Sequence, residues 1–269
     1  MTSHDVVARC RRIFGQKRVG HAGTLDPDAT GVLLVGLGQA TRLMRFLTGL
    51  PKSYAGEVVL GRATSTLDAA GEVVGEWDMS GVTLGDVQAA VAASFVGEIA
   101  QVPPMVSAVK VGGKRLHELA RAGIEVERAA RPVTVHRFDV VATPDPLVFA
   151  VEVDCSSGTY IRSLAADLGT ALGGGAHLRA LRRVAVGPFT QPVALGAVGP
   201  ADVLPPVDAL PGFARVVADA DLVVAVGHGK VLPRFSGDGP WAVVDGAGTL
   251  LAVYEAHQGD TAKPALVLA

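Results

Sequence analysis

Apolar and polar positions alternate along this chain with two different periods. Helical spacing marks residues 5–14, where Val6, Val7, Cys10 and Phe14 are apolar, arginines lie between them and Asp5 sits in the first turn. It recurs from Leu84 to Phe95, where Val87, Val91 and Phe95 share a face and Thr83 is placed to cap it. Tyr160 to Leu172 is a third such stretch, stopped by Gly173-Gly174-Gly175. Shorter helices are predicted for Gln39–Leu47 and for Arg115–Ala122, the latter ended by Gly123. Strand patterning marks Tyr54–Leu60, closed by Gly61. Val133–Val141 and Leu147–Cys155 alternate as an antiparallel pair turning at Pro144-Asp145-Pro146. Residues 32–37 are apolar enough for a buried strand, and Val184–Thr190 reads as another. Val102-Pro103-Pro104-Met105 must be extended, because proline excludes helix there.

A proline-rich stretch from Pro200 to Pro211 marks a domain boundary. Beyond it the pattern predicts a short helix at Asp219–Val226 and strands at Ala242–Val244, Leu250–Tyr254 and Ala265–Leu268. The fold class is therefore α+β: a mixed, largely antiparallel sheet flanked by helices, followed by a small β-rich module near the lower limit for independent folding.

Composition narrows this picture. The chain has 269 residues, 49% of them hydrophobic, enough for a substantial core. No apolar run reaches the length of a membrane span and no signal peptide opens the chain. Cys10 and Cys155 lack a CxxC or histidine pattern; they read as buried reduced thiols of a cytoplasmic protein rather than as a zinc site. The net charge of −2 speaks mildly against nucleic acid. Its distribution speaks the other way: residues 201–269 hold eight acidic against four basic side chains, residues 1–200 eighteen against twenty. Three basic clusters stand in that larger part: Arg9, Arg11, Arg12, Lys17 and Arg18; Lys110, Lys114, Arg115 and Arg121; and Arg179, Arg182 and Arg183. They are either solvated surface or phosphate contacts.

Candidate chemistry concentrates in Gly20-His21-Ala22-Gly23-Thr24-Leu25-Asp26-Pro27-Asp28-Ala29-Thr30-Gly31. One carboxylate, Asp26, stands on a rigid turn ahead of an apolar stretch, a position suited to a nucleophile or an acid/base group. Asp-Pro is also an ordinary turn former, and by itself Asp26 reads more readily as that. Gly36-Leu37-Gly38 lacks the third glycine of a dinucleotide fingerprint, no Walker sequence is present, and His21 with Asp26 lacks a third metal ligand at useful spacing. Arg162 falls in the first turn of a helix, where the dipole disfavours a cation, so it needs a carboxylate partner or else belongs to the surface.

The Gly20–Gly31 run closely resembles the catalytic loop of the tRNA pseudouridine-55 synthases, the TruB-type pseudouridine synthase family. Three further stretches resemble that family in its order: Lys52-Ser53-Tyr54 to Gly61 with Thr64 to Gly71, Cys155 to Leu164, and Gly175 to Arg183. The resemblance implies a pseudouridine synthase fold over residues 1–205 and a PUA-like RNA-binding domain over 214–269. It implies isomerisation of uridine at position 55 in the T arm of tRNA, with no cofactor, no metal, no membrane and no required protein partner, by a monomer. Asp26 becomes the nucleophile, attacking either C1′ of the ribose or C6 of the base; Arg162 pairs with it and holds it ionised. Tyr54 lies against the target base and serves proton transfer at C5. Leu181 packs under the base, His21 fills the stack that the flipped base vacates, and Tyr160 joins the substrate-binding group. The alternative of another class is a tRNA-binding or folding protein with weak or lost catalysis.

One departure bears on that alternative. Family members carry an apolar strand and an Asp-Lys-Pro segment just before Thr-Ser-His-Asp, whereas here Met1 directly precedes Thr2-Ser3-His4-Asp5. The expectation is an open sheet edge and a chain less soluble and less active than one extended upstream.

Overall fold

The computed structural model describes residues 1–107 and 109–268; the side chains of Lys110, Arg115, His117 and Arg121 lie outside the described residues. The expectation of phosphate contacts in the second basic cluster therefore rests, among described side chains, on Lys114 alone. The chain divides into two compact units: Leu25–Val32 with Gly49–Pro192, and Met1–Thr24 with Leu33–Thr48 and Val193–Ala269.

The unit formed by Leu25–Val32 and Gly49–Pro192 is built on a six-stranded sheet. Its strands lie side by side in the order Thr30–Gly31, Ala176–Val186, Lys52–Leu60, Val148–Cys155, Arg131–Ala142 and Gly97–Gln101. All neighbours run antiparallel except Thr30–Gly31, which pairs in parallel with Arg182 and Arg183. The period-two alternation explains its two faces. Val58, Leu60, Phe138, Val140, Val151, Val153 and Cys155 point into one core. There they meet Val87 and Val91 of the helix Leu84–Ser94 and Ile161, Leu164 and Leu168 of the helix Ile161–Ala171. Each such side chain, fully buried, contributes about 1.5–3 kcal/mol. The opposite face carries Arg137, which pairs with Asp139, Glu152 and Asp154 in the open.

Thr83 caps its helix as expected, and Asp86 answers from N3 to complete a capping box. Two sequence expectations need correction in this unit. Val184–Thr190 is not the strand; the strand runs Ala176–Val186. Its register shifts at Leu178/Ala180 and again at Arg183/Ala185, and these bulges break the alternation that a sequence pattern relies on. The Tyr54 strand starts two residues earlier, at Lys52, and lies inside the sheet between two neighbours.

In the other unit the helix Ser3–Ile13 opens on a capping box between Thr2 and Asp5. It packs Val7 and Cys10 on Val19, against the hairpin of Val19–Ala22 with Leu34–Leu37. The latter strand begins at Leu34 and is mostly half-buried, where a buried run from Val32 was expected; Val32 belongs to the first-described unit. Gly38–Leu43 is a 3-10 turn leading into a single α-turn, Met44–Leu47. A five-stranded sheet orders Ala214–Val217, Trp241–Val244, Leu250–His257, Thr261–Val267 and Leu232–Pro233. Ala214–Val217 was not anticipated; it adds in parallel to Trp241–Val244. The helix Ala220–Gly227 is capped by Asp219. Both cysteines are buried and free. Among the described residues no helix is long and apolar enough to cross a membrane.

Candidate active site

Asp26 opens a tight turn whose far end is tied by Ala29 N–H donating to the Asp26 carbonyl at 3.0 Å, with Pro27 presetting φ at the second position. The loop ends in Thr30–Gly31, which the parallel pairing fastens to Arg182 and Arg183. Gly31 has a φ of 101°, and a Cβ there would stand 2.1 Å from the Arg183 carbonyl oxygen, so only glycine permits this closeness.

Arg162 reaches the turn from the start of the helix Ile161–Ala171. Its Nε donates to Asp26 Oδ2 and its Nη2 to Asp26 Oδ1, both at 2.9 Å. Nη1 donates to the Thr66 carbonyl and Nη2 to the Val106 carbonyl, again at 2.9 Å, and Nη1 stands 3.5 Å from Asp68 Oδ2. Four of the five guanidinium N–H groups thus donate a hydrogen bond, and Nη1 also faces the Asp68 carboxylate. The Arg162 side chain is only 4% exposed, while that of Asp26 is 36% exposed. The anion therefore faces solvent on one side and a fixed cation on the other. Two carboxylates on one guanidinium explain how a cation tolerates the first turn of a helix.

The helix start is itself fastened. Tyr160 is the N-cap and has no side-chain cap. The buried amide of Gln101 accepts from Tyr160 N–H at 2.8 Å and donates to the Tyr160 carbonyl at 3.1 Å. Ser163 Oγ donates to the Val102 carbonyl. The Val102–Val106 segment, which bends from Met105 onward where an extended run was expected, therefore holds both the helix and the Arg162 fork.

Asp28, Ala29, Asp68, Ala70, Leu178 and Leu181 line, with Asp26 and Arg162, a cleft of about 230 Å³. Asp68 is held there by Thr66 Oγ1, which donates to Oδ1 at 2.6 Å, and by main-chain bonds of Leu67 and Ala69 with Leu178. Leu67 has a φ of 63°, a strained value for a leucine that turns the loop back onto the sheet. Leu181 sits opposite Gly56 in the neighbouring strand, half-buried at the cleft. Tyr54 lies directly across from Arg183. Burial pushes its phenol up, an effect that Cys155 and Asp26 add to and that the Arg183 guanidinium opposes.

The structure thus brings Asp26, Arg162 and Leu181 to one cleft, with Tyr54 near enough to feel the Asp26 charge. Tyr160 contributes through its main chain, and its side chain does not line the cleft. His21 belongs to the other unit, where its ring meets that of His4 edge-on at 5.7 Å. Sequence reading missed Asp68 and Gln101. Asp68 stood inside a quoted motif, but nothing in its local sequence marked it off from a turn residue. It also misread the third basic cluster. Arg183 is buried, and Arg179 is paired with Glu57 at 2.8 Å. Strand alternation across a bulge hides which arginine points inward. Among the described residues no group of three or more His, Cys, Asp or Glu is placed to hold a metal ion.

Comparison with known proteins gives this geometry its setting. Residues 11–161 match the model of the TruB family pseudouridylate synthase N-terminal domain, and residues 162–201 that of the tRNA pseudouridylate synthase B C-terminal domain. The tRNA pseudouridine synthase B of Mycobacteroides abscessus is 48% identical, over all of this chain and 92% of its own length. That of Arthrobacter sp. is 46% identical, over all of this chain and 93% of its own length. Among solved structures, a Cbf5-Nop10-Gar1 complex matches with a TM-score of 0.70 at 27% identity, covering 97% of this chain and 76% of that one. An H/ACA RNP bound to a substrate RNA containing 2′-deoxyuridine has the same fold, with a TM-score of 0.72 at 24% identity, covering all of this chain and 82% of that one. On the sequence relationship and the shared fold together, this chain belongs to the TruB family of pseudouridylate synthases.

Proposed function

We propose that this chain isomerises uridine to pseudouridine at position 55 in the T arm of tRNA, with Asp26 as nucleophile. The observation that carries the reading is the Asp26–Arg162 pair: a partly exposed carboxylate, fixed by a two-toothed buried cation, at the mouth of a cleft. The tRNA substrate is supported by the relatives named tRNA pseudouridine synthase B, at 45–48% identity over the whole chain.

The reaction breaks N1–C1′ and forms C5–C1′; the proton leaving C5 is balanced by one gained at N1, so the product is an isomer and no cofactor is consumed. A nucleophile must hold one fragment while the base turns over. Asp26 attacks C1′ of the ribose or C6 of the base, and both routes use the same fixed carboxylate. The target base leaves its stack at a cost of about a few kcal/mol. In this reading Leu181 and Tyr54 sandwich it, His21 enters the vacated stack, Tyr160 belongs to the substrate-binding group and Tyr54 serves proton transfer at C5. Residues 1–205 form the catalytic domain and 214–269 a PUA-like RNA-binding domain, in a cytoplasmic protein that works as a monomer.

The test is tritium release from 5-tritiated uridine in an unmodified tRNA transcript, with the purified chain alone. Release that stops in Asp26→Asn supports the reading. Binding of the tRNA without release would instead mark a tRNA-binding protein without catalysis.

A further inference from the structure

Arg183 is the largest buried charge near the cleft whose role the reading above leaves open. It is 1% exposed. Its Nε donates to the Val32 carbonyl at 2.8 Å, and its own carbonyl accepts from Val32 N–H at 2.8 Å. Val32 ends the loop that begins at Asp26, and the two chains run so close that a Cβ on Gly31 would stand 2.1 Å from the Arg183 carbonyl oxygen. Arg183 also lies directly across from Tyr54, and its guanidinium charge favours the phenolate. We propose that Arg183 is a positioning residue, one buried guanidinium that fastens the Asp26 loop to the Tyr54 strand and so fixes the carboxylate and the phenol relative to each other.

The chemistry fits a planar fork. Arginine directs several N–H groups in set directions, so one side chain serves a carbonyl on one element while its charge acts on a phenol on another. The charges facing Tyr54 are accounted for on each element around it. Lys52 stands two residues away on its own strand, Arg183 on one neighbouring strand, Cys155 on the other, and Asp26 on the loop. Arg183 favours the phenolate, whereas burial, Cys155 and Asp26 oppose it. Removing the guanidinium therefore moves the Tyr54 titration upward as well as loosening the loop. A residue that only filled space would do neither.

The inference rests on the proposed roles of Asp26 and Tyr54, and the experiment separates the two. Arg183→Lys and Arg183→Met are assayed beside Asp26→Asn for tritium release, and the Tyr54 phenol is titrated by ultraviolet absorbance as the difference from each protein's Tyr54→Phe version. The expected result is a kcat about a hundredfold lower in Arg183→Lys, with KM for the tRNA little changed, and the Tyr54 titration moved to higher pH in Arg183→Met, which loses the charge. Arg183→Lys keeps a buried charge and serves where Arg183→Met does not fold. Wild-type kcat in Arg183→Lys, or a lowered kcat with the Tyr54 titration unmoved in Arg183→Met, would overturn the inference and leave Arg183 a packing residue. Wild-type release in Asp26→Asn would instead overturn the reading beneath it.

Discussion

Asp26 and Arg162 divide one task between exposure and burial. The cation is sealed in with four hydrogen bonds, and the anion it fixes keeps a side open to the cleft. Lysine cannot reproduce this, since its three donors radiate from one point. Arg162→Lys is expected to lower kcat about a hundredfold through misdirection of Asp26, and to lower the melting temperature because buried carbonyls at Thr66 and Val106 lose their donors. Tritium release and thermal unfolding measure the two effects. Lys52 presents the opposite situation. It is buried at 6% exposure, and burial, with Arg183 nearby, lowers its ammonium from 10.5 to about 8. The unfolded chain therefore holds a proton there that the folded chain has released between pH 8 and 10.5, so stability rises with pH across that window. Relative to Lys52→Met, the wild type is expected to gain about 3 kcal/mol in unfolding free energy from pH 8 to 10.5. Denaturant unfolding at both pH values checks this, and a constant difference would show that Lys52 is freely hydrated.

At the scale of elements, the site depends on three fastenings: the Thr30–Gly31 pairing, the Gln101 amide on Tyr160, and the Ser65–Gly71 loop on Leu178. Gly31→Ala must place a Cβ 2.1 Å from a main-chain oxygen at a left-handed φ. It is expected to cost more than about 1–3 kcal/mol and to reduce kcat, in contrast to Gly49→Ala, where nothing stands within 4 Å. Parallel unfolding curves of the two variants decide the point. Much of this scale was legible in the sequence. Thr83, the glycines after Leu172 and the Pro144–Pro146 turn are local signals, and local signals place helices and hairpins. The strand Ala176–Val186 was misplaced because two bulges interrupt its alternation, and Ala214–Val217 was missed because its pairing partner lies far along the chain. The Asp26–Arg162 contact spans 136 positions; only the family resemblance, not periodicity, pointed to it. Gln101 acts through Tyr160, 59 positions away, and Asp68 through a turn that looks ordinary. Nothing local distinguishes them.

For the whole molecule, partner choice rests on charge. Arg9, Arg11, Arg12, Lys17 and Arg18 are exposed, as are Lys114, Arg179 and Arg182, whereas Arg183 is withdrawn from any phosphate. With Arg179 engaged by Glu57, contact to about four to five phosphates is the expectation, giving a slope of about −3 to −4 for log affinity against log salt. Filter binding of tRNA across a salt series measures it, and a flat response would reduce the clusters to solvated surface. The central claim, however, is chemical. The most direct test is single-turnover tritium release from a uridine-tritiated tRNA transcript, comparing wild type with Asp26→Asn, and the native transcript with one carrying cytidine at position 55. The account predicts release only by the wild type and only from the native transcript, with tRNA affinity preserved in Asp26→Asn. Release by Asp26→Asn at more than about a hundredth of the wild-type rate would contradict it, since a neutral amide cannot serve as the nucleophile.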